Sequence, residues 1–504
     1  MKREQASLMN SMTFILWSGL GVIGLFLFAK YRVSTIESNL LDKIEARKVG
    51  IDFIREFVGI DVESWEVYSV YWYDHETVNK LHHLGLLKKN RHILHEMGLV
   101  ESWRVRFVHQ NQSFVIGVNA KREVTFFYAD VRQTSLSKKD GQISLEGLKD
   151  QLTCSSKGLW AKTKPTGSGS KEEDFREIKT YWYLAEKEDI RLKVTVEMQS
   201  GVITYIGTDT EILTDQMNKV IRDEQVESTF GLSGMLGSAA AMIMAILVLV
   251  LMNVQINLTL SFMLGFMIVL VQSLTIKEDI QLTIVNAYDA RMSVQTVKLL
   301  GILSTLFAGL LTGFVVFICS LAGGALANEL EMKFLDEIVG QTFIGLSAGL
   351  ISLGITSLVF YLLERMNKLR ISPELSNRSM FLSGFTLRQG LNMSLQSSIG
   401  EEVIYRLLMI SLIFWFSGNA ILSILISSFL WAIMHQVTGY DPRWIRWAHL
   451  FVFGCFLGFL FMHYGFICVL AAHFIHNFVL VCMPLWQFKL QRYLHTKKPQ
   501  HTSL

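Results

Sequence analysis

The sequence predicts a mainly α-helical protein, a polytopic bundle of transmembrane helices with a water-soluble α+β domain inserted after a first transmembrane anchor. Three observations support this fold class. Of the 504 residues, 51% are hydrophobic and only 18% are charged, which is typical of a membrane protein with some water-soluble mass. From Gly234 onward the chain has repeated apolar runs long enough to cross a bilayer. Residues 31–230 contain no such run.

The first element is an N-terminal transmembrane anchor, which we assign to residues 1–30. Met12–Ala29 is a continuous apolar run with basic residues on both sides. The run is longer than the core of a signal peptide, and no small-residue cleavage site follows it. We therefore expect an uncleaved membrane-spanning helix.

Residues 31–230 are predicted to form the water-soluble α+β domain. A mixed charged and apolar pattern over Ser34–Phe57 favours helix, and two later stretches alternate in the manner of strands. The predicted strands are Val105–Val108, Phe114–Val118, Val124–Tyr128, Tyr181–Leu184, Leu192–Val196 and Val202–Ile206.

The two strand-forming stretches match each other, because Val118 to Val124 and Val196 to Val202 have equal spacing around turn residues. This indicates a duplicated helix-plus-sheet unit. The pattern resembles the PepSY type of bacterial extracytoplasmic module, which implies a regulatory or inhibitory appendage. Lys162–Glu173, rich in Gly, Ser and Lys, is predicted to be a loop between the two units.

Residues 231–375 are predicted to be transmembrane helices that precede a polar-centred membrane core at 376–486, and a basic tail follows at 487–504. With the anchor we expect about nine spans of roughly 20 residues each. Ser379–Ser398 is amphipathic and either lies on the membrane surface or leads into the next helix. The spans after the anchor are Met235–Met252, Ile256–Leu274, Leu299–Ala325, Thr342–Leu363, Val403–Phe416, Ala420–Met434, Trp447–Met462 and Phe466–Leu480.

The loop charges predict the orientation in the membrane. Loops 364–388 and 441–446 and the C-terminal tail are rich in Lys and Arg, whereas 328–337 is mostly acidic. The positive-inside rule then puts the C-terminus in the cytoplasm. Nine spans would place the α+β domain inside too, whereas a PepSY-like domain is expected outside. The side on which this domain lies therefore stays open.

Ionisable side chains occur in three apolar segments near the C-terminus, where each costs of order 2–3 kcal/mol at the bilayer centre. Glu402 and Arg406 are four residues apart, so they share a helix face and can pair. Glu401 points to a different face of this helix from Glu402 and Arg406. If the three helices converge, a carboxylate and imidazoles would surround one water or metal ion. The polar residues are Glu401, Glu402, Arg406, His435, His473 and Asn477.

Each of these residues alone also has a purely structural explanation. A single intramembrane histidine often donates a hydrogen bond within the core, and an isolated Glu–Arg pair can simply lock two helices together. Their combination is harder to explain by packing, because the cost of burial is incurred several times. No HExxH or Walker A motif occurs in the sequence, which argues against zincin-type metalloprotease and P-loop chemistry.

Taken in order, the polar residues of the three segments resemble the motifs of the CPBP family. This family groups type II CAAX prenyl endopeptidases with bacterial Abi-type membrane proteins. The resemblance covers roughly residues 380–485. The chain departs from the family at Leu407, where Gly is common, and at Trp431, where Phe is common. The matching residues are Glu401, Glu402 and Arg406, then Trp431 with His435, then His473 with Asn477.

The resemblance implies an intramembrane peptidase built around a helical chamber. Glu401 and His435 would activate the attacking water, His473 and Asn477 would support the oxyanion, and Glu402 with Arg406 would orient or brace the site. If a metal is used, a divalent ion such as zinc, its ligands would be Glu401, His435 and His473. The resemblance leaves open whether such enzymes use a metal or a glutamate alone.

The predicted partners are the lipid bilayer and a membrane-associated peptide or protein substrate, and nucleic acid is not expected. The predicted location is the cell membrane of a bacterium, crossed several times. Two other functions remain open. One is a non-catalytic protein of the same fold that acts in bacteriocin-type immunity or scaffolding. The other is a transporter in which Glu401, Arg406 and His435 handle protons.

Overall fold

A computed structural model describes residues 11–32, 41–110, 112–131, 163–173, 176–185, 190–199, 202–213, 217–251, 257–289, 292–332, 337–372, 386–435 and 437–497. The chain divides into two compact units. A membrane unit comprises Met1–Ile36, Asp223–Thr275 and Thr305–Leu504, and a sheet unit comprises Glu37–Arg222 and Ile276–Ser304. The parts of the predicted anchor, α+β domain and basic tail at residues 1–10, 132–162 and 498–504 lie outside the described residues.

The sheet unit contains an antiparallel sheet of eight strands in the order β1-β2-β3-β4-β8-β7-β6-β5. Each half is a run of four strands, and the halves meet where β4 pairs with β8. All six predicted strand segments lie within β2, β3, β4, β6, β7 and β8. The strands are β1 Glu66–Trp72, β2 Ser102–His109, β3 Gln112–Val118, β4 Val124–Val131, β5 Thr163–Glu173, β6 Arg176–Ala185, β7 Ile190–Gln199 and β8 Val202–Ile212.

One sequence prediction is wrong: Lys162–Glu173 does not contain a loop, because Thr163–Glu173 forms β5. This strand lies at the edge of the sheet and pairs antiparallel with β6, with an irregularity between Pro165 and Gly167. Backbone hydrogen bonds from β6 hold a segment whose Gly, Ser and Pro content disfavours strand formation. Lys and Pro are the residues that natural sheets place at their edges.

Helices cover both faces of the first half of the sheet. Alternate residues of β2 point to opposite faces. Phe107 packs with Ile54 of α2, whereas Val108 packs with Ile284 and Tyr288. The described helices of this unit are α2 Lys43–Phe57, α3 His75–His83, α4 Leu87–Glu96 and α7 Ile276–Ala287, together with the first residues of α5, which starts at Met217, and of α8, which starts at Val294.

Within its described residues, the regular secondary structure of the membrane unit is helical apart from a two-stranded pairing of Arg370–Ile371 with Tyr440–Asp441. The remaining helices are α1 Ser11–Tyr31, α5 Met217–Leu251, α6 Leu258–Ser273, α8 Val294–Glu329, α9 Ile338–Arg365, α10 Leu387–Glu401, a π-helical segment Glu402–Ile410, α11 Ser411–Ser417, α12 Ala420–Met434, α13 Arg443–Tyr464 and α14 Phe466–Lys497.

Among the described residues, six helices are long and apolar enough to cross a membrane, or seven if α6 and α7 form one broken span. The chain is therefore a multi-pass membrane protein. Our estimate of about nine spans exceeds this number. Each of the nine predicted segments lies on helix, apart from a few terminal residues. However, α12 is too short to qualify, and the segment after Glu401 is divided between π- and α-helix.

Glycines allow close contact between the helices that carry the site. A Cβ at Gly345 would collide with the carbonyl oxygen of Cys468, and a Cβ at Gly349 with that of Ala472. Both contacts join α9 to α14. Small residues at four-residue spacing let membrane helices approach in this way. The backbone just before His473 is therefore held against α9.

Candidate functional site

The helix that carries Glu401 has a well-defined start. Thr386 caps α10, accepting from the backbone N–H of Gln389 at 3.2 Å, while the Gln389 side chain accepts from the backbone N–H of Thr386 at 2.9 Å. This reciprocal pair is a capping box. The α-helix ends at Glu401 and continues as the π-helical segment from Glu402 to Ile410. Stretches of π-helix are rare and frequently occur at functional sites.

The Glu401 carboxylate accepts two hydrogen bonds from neutral donors. Ser397 Oγ donates to Oε1 at 2.7 Å, and Trp431 Nε1 donates to Oε2 at 2.6 Å. Two imidazoles also face Oε2. His435 Nε2 lies 3.6 Å from it and His473 Nε2 lies 4.0 Å from it. The structure thus brings together the predicted carboxylate and both predicted histidines.

His435 is held at the C-terminal end of α12 with its ring oriented toward Glu401. Its Nδ1 lies 2.7 Å from the carbonyl oxygen of Trp431. A carbonyl can only accept, so Nδ1 carries a proton and donates. In the neutral ring, Nε2 then presents a lone pair to the Glu401 side. The side chains of His435 and Glu401 are 27% and 22% exposed, so water can reach this pair.

Glu402 belongs to a separate, fully buried group. Arg406 Nη1 donates to Glu402 Oε1 at 3.2 Å, and both side chains have no exposed surface. His473 Nδ1 lies 2.6 Å from the same oxygen. The guanidinium of Arg406 also lies 4.6 Å from the centre of the Trp431 ring. An ionised carboxylate accepts only, so Nδ1 of His473 donates and its Nε2 is directed toward Glu401.

Asn477 is linked to the site through another residue. Its Nδ2 donates to Ser397 Oγ at 3.3 Å, and Ser397 in turn donates to Glu401. Sequence reasoning missed Ser397. It precedes Glu401 by four residues, so the helical spacing that paired Glu402 with Arg406 was an available signal.

Sequence reasoning also missed Glu227, a residue of α5 that contacts the segment after His435. Its Oε1 accepts from the backbone N–H of Val437 at 2.9 Å, and its Oε2 accepts from Arg443 Nη1 at 2.6 Å. Both side chains are largely buried. Nothing in the local sequence signals this contact, because Glu227 and Val437 are far apart in the chain.

A cavity of about 330 Å³ opens beside Glu401, and nearly all of its lining is apolar. A Cβ at Gly400 would meet no atom within 4 Å, so the cavity is open on that side. An apolar pocket with one reactive polar group is the usual form of a ligand site. The other lining side chains include Met393, Gln396, Ile404, Tyr405 and Met434.

The predicted metal ligands do not fit a metal ion as they are arranged. Bond lengths of about 2.0–2.1 Å place the ligands of a tetrahedral zinc about 3.3–3.4 Å apart. Both histidine nitrogens are farther from Glu401 than this, at 3.6 and 4.0 Å. Among the described residues, no group of three or more His, Cys, Asp or Glu side chains is placed to hold a metal. We derive no step through a metal.

The fold and the site define the chain as a multi-pass membrane protein with a glutamate and two histidines meeting inside its helical core. Residues 383–479 match the family described as "Type II CAAX prenyl endopeptidase Rce1-like". The chain belongs to this Rce1-like CAAX prenyl endopeptidase (CPBP) family.

One curated relative covers almost the whole chain. It is the "Sporulation-killing factor biosynthesis protein SkfC" of Bacillus subtilis (strain 168). The two sequences are 70% identical over 496 residues, which is 98% of this chain and 100% of the relative. No solved structure matches the chain.

Proposed function

We propose that this chain is an intramembrane endopeptidase that hydrolyses a peptide bond in a membrane-associated peptide or protein, and that Glu401 and His435 activate the attacking water. The observation that carries the proposal is the meeting of the Glu401 carboxylate with His435 Nε2, 3.6 Å away, beside an apolar cavity. Two acceptors at this separation can share one water at hydrogen-bond distances of about 2.8 Å.

In the proposed reaction, the water oxygen attacks the carbonyl carbon of the scissile bond and gives one proton to Glu401. The C–N bond of the tetrahedral intermediate then breaks, and that proton passes to the leaving amine. His435 accepts a hydrogen bond from the same water through Nε2, because its Nδ1–H is engaged with Trp431. General acid–base catalysis of this kind contributes typically about 10²–10⁴-fold.

His473 is proposed to stabilise the oxyanion. Its Nδ1 lies 2.6 Å from Glu402 Oε1, which fixes the ring with Nε2 toward Glu401. In the proposed reaction an Nε2–H donates to the developing negative charge. Arg406 holds Glu402 in place. We propose that Asn477 orients Glu401 through Ser397, in addition to the oxyanion role that the family resemblance implies.

The proposed substrate is a peptide precursor at the membrane. The relative is described as a biosynthesis protein for a sporulation-killing factor, and we extend that role to this chain. The apolar lining of the cavity suits a hydrophobic segment next to the scissile bond. We place the protein in the bacterial plasma membrane, with residues 376–486 as its catalytic core and residues 31–230 as a domain that recruits or gates the substrate.

The test is peptidase activity of the purified protein in nanodiscs against membrane-anchored reporter peptides, with and without a chelator. We expect Glu401→Gln and His435→Ala to lose at least about 100-fold in rate. Two matched controls, Glu331→Gln and His463→Ala, change exposed residues and should retain full activity. The chelator arm shows whether a metal is needed.

The alternative functions predict other outcomes. Equal cleavage by wild type and both site variants would refute the assignment of Glu401 and His435. If no form cleaves any reporter while killing-factor production in cells still requires the protein and tolerates Glu401→Gln, the chain acts as a non-catalytic scaffold or immunity protein. Proton-coupled uptake into vesicles that depends on Glu401 would instead support a transporter.

A further inference from the structure

The sheet unit contains a cavity of about 430 Å³ that the proposed peptidase site does not use. Two arginines of strand β2, Arg104 and Arg106, project into it from the same face of the sheet, because they are two residues apart. They are only 8% and 4% exposed. Much of the remaining wall is aromatic, formed by Trp72, Phe126 and Tyr288 among others.

Arg104 is buried, and no described residue places a carboxylate within hydrogen-bond distance of it. Its guanidinium carbon lies 4.1 Å from the centre of the Trp72 ring and 3.6 Å from that of Phe126. Its Nη1 has no hydrogen-bond partner in the described part of the chain. Burial lowers the pKa of Arg104 to about 9, and only the more distant Asp74 and Tyr205 oppose this shift. The site therefore holds a cation that an anion would stabilise.

Arg106 is better satisfied: its hydrogen bonds to described residues go to neutral groups, and the carboxylate of Asp130 acts on it electrostatically. Its Nε donates to the carbonyl oxygen of Val285 at 3.1 Å, and its Nη1 donates to Ser113 Oγ at 2.8 Å and to the carbonyl oxygen of Tyr288 at 3.3 Å. These bonds fix the guanidinium in place, and none of them is to a carboxylate. The cavity thus has two ordered positive charges from one strand.

We propose that this cavity is a binding site for a carboxylate carried by an apolar peptide segment, either at its C-terminus or on an acidic side chain. Two aromatic rings pack against the Arg104 guanidinium, and Nη1, on its planar N–H edge, lacks a hydrogen-bond partner among the described residues and can bind a ligand. That edge matches the two oxygens of a carboxylate. This inference goes beyond peptide hydrolysis at Glu401 and does not depend on it.

The lining favours a carboxylate over a phosphate group. A phosphate has additional charged oxygens that need further donors, whereas much of the wall around the two arginines is apolar, including Val115, Phe126 and Ala287. A carboxylate satisfies both arginines with two oxygens and leaves an apolar body against the rings. The volume suits one or two amino-acid residues.

The test uses the full-length Glu401→Gln protein in nanodiscs, so that binding is measured without cleavage. The probe is an N-terminally fluorescent tetrapeptide of alanine, valine and leucine with a free C-terminal carboxylate, followed by fluorescence anisotropy. Its C-terminal amide is compared with it, and a third probe combines the amide with one internal glutamate. Arg104→Gln and Arg104→Lys are compared with Arg122→Gln, which changes an exposed arginine in the β3–β4 turn.

We expect the free acid to bind at least tenfold more tightly than the plain amide. Arg104→Gln should lower affinity for the acid at least tenfold, and Arg104→Lys should lower it less, because it keeps the charge but not the planar fork. Arg122→Gln should leave it unchanged. Binding of the glutamate probe would extend the site to side-chain carboxylates, and its failure would restrict the site to C-termini.

Equal binding of acid and amide would overturn the proposal, as would unchanged affinity in both Arg104 variants. If Arg104→Gln fails to fold, two results still test the proposal: the acid–amide comparison in the Glu401→Gln parent and the affinity of Arg104→Lys. Displacement of the probe by inorganic phosphate or phosphatidylglycerol vesicles, but not by N-acetylglycine, would reassign the site to phosphate. Because every arm measures binding in Glu401→Gln, none depends on whether the protein is a peptidase.

Discussion

The two adjacent carboxylates of the site have different surroundings. Glu401 is 22% exposed and accepts from neutral donors, whereas Glu402 is fully buried and paired with Arg406 and His473. A buried charge that loses its partner carries the full cost of desolvation. Substituting each carboxylate should therefore affect a different property of the protein.

Glu402→Gln should destabilise the membrane unit by about 3–5 kcal/mol, because it leaves Arg406 charged and unpaired. Glu401→Gln removes no charged hydrogen-bond partner and should cost much less, although both variants lose activity. Thermal unfolding in nanodiscs, followed by tryptophan fluorescence, compares the two. Equal stability of the two variants would mean that the Glu402–Arg406 pair does not stabilise the fold.

Glu227 provides a second test at the level of single residues. It contacts the backbone N–H of Val437, two residues beyond His435. Glu227→Gln keeps an oxygen for that contact but loses the charge opposite Arg443, whereas Glu227→Ala loses both. We expect kcat to fall stepwise, by up to about 100-fold in the alanine variant, because small displacements of a reacting group are costly.

In this Glu227 series KM should change little, since the residue lies outside the cavity lining. An alanine variant with wild-type kcat would show that Glu227 does not position His435. Restored kcat on return of the carboxylate as aspartate would support positioning, because a residue needed only for folding would change the amount of active protein instead.

At the scale of elements, the contact between α9 and α14 places His473. A Cβ at Gly349 would collide with the carbonyl oxygen of Ala472. Gly349→Ala should therefore push α14 away, cost about 1–3 kcal/mol of stability and lower activity. Gly19→Ala is the matched control, because a Cβ there would meet nothing within 4 Å. Melting temperature and peptidase rate report the two effects, and equal behaviour of the variants would contradict the expectation.

Elements with strong periodicity could be predicted from sequence, and others could not. Strand alternation located β2 to β4 and β6 to β8, and apolar length located the membrane helices. The helices α3 and α4 were not predicted, because at 9 and 10 residues they are shorter than the window over which helical periodicity is clear. Edge strand β5 was missed since pairing with β6, rather than its own residues, determines its structure.

The same distinction holds for the site: residues with a strong signal in the sequence were predicted, and the others were not. Intramembrane charge identified Glu401, Glu402, Arg406, His435 and His473 because such residues are costly there. The sequence did not reveal that Trp431 donates to Glu401 or that Ser397 joins Asn477 to it. Hydroxyl and indole groups are common in apolar helices, so only the three-dimensional structure shows which of them contact the site. The assigned roles of these residues remain predictions.

At the scale of the whole molecule, the sheet unit is discontinuous in sequence. It includes residues 276–304, which lie beyond α5 and α6, in a range that composition assigns to the membrane. In this unit Val108 of β2 packs on Ile284 and Tyr288. Removing that cover would expose buried apolar surface of the sheet, which favours association.

A fragment of residues 37–222 should therefore aggregate or unfold, while the same fragment joined by a flexible linker to residues 276–304 should be more soluble and better folded. Gel filtration and circular dichroism compare the two, and a linked peptide of scrambled sequence is the control. A monomeric, cooperatively folded 37–222 fragment would show that the second segment is dispensable.

The division of the sheet unit into two segments also sets an order of events during synthesis. The strands leave the ribosome first, and α7, which covers them, comes only after α5 and α6 have been made. At about 5–20 residues per second, the ribosome takes roughly 4–16 s to go from residue 222 to residue 304. For that interval one face of the first half of the nascent sheet stays uncovered while α5 and α6 are synthesised. The sheet unit can therefore finish folding only after α7 has been synthesised.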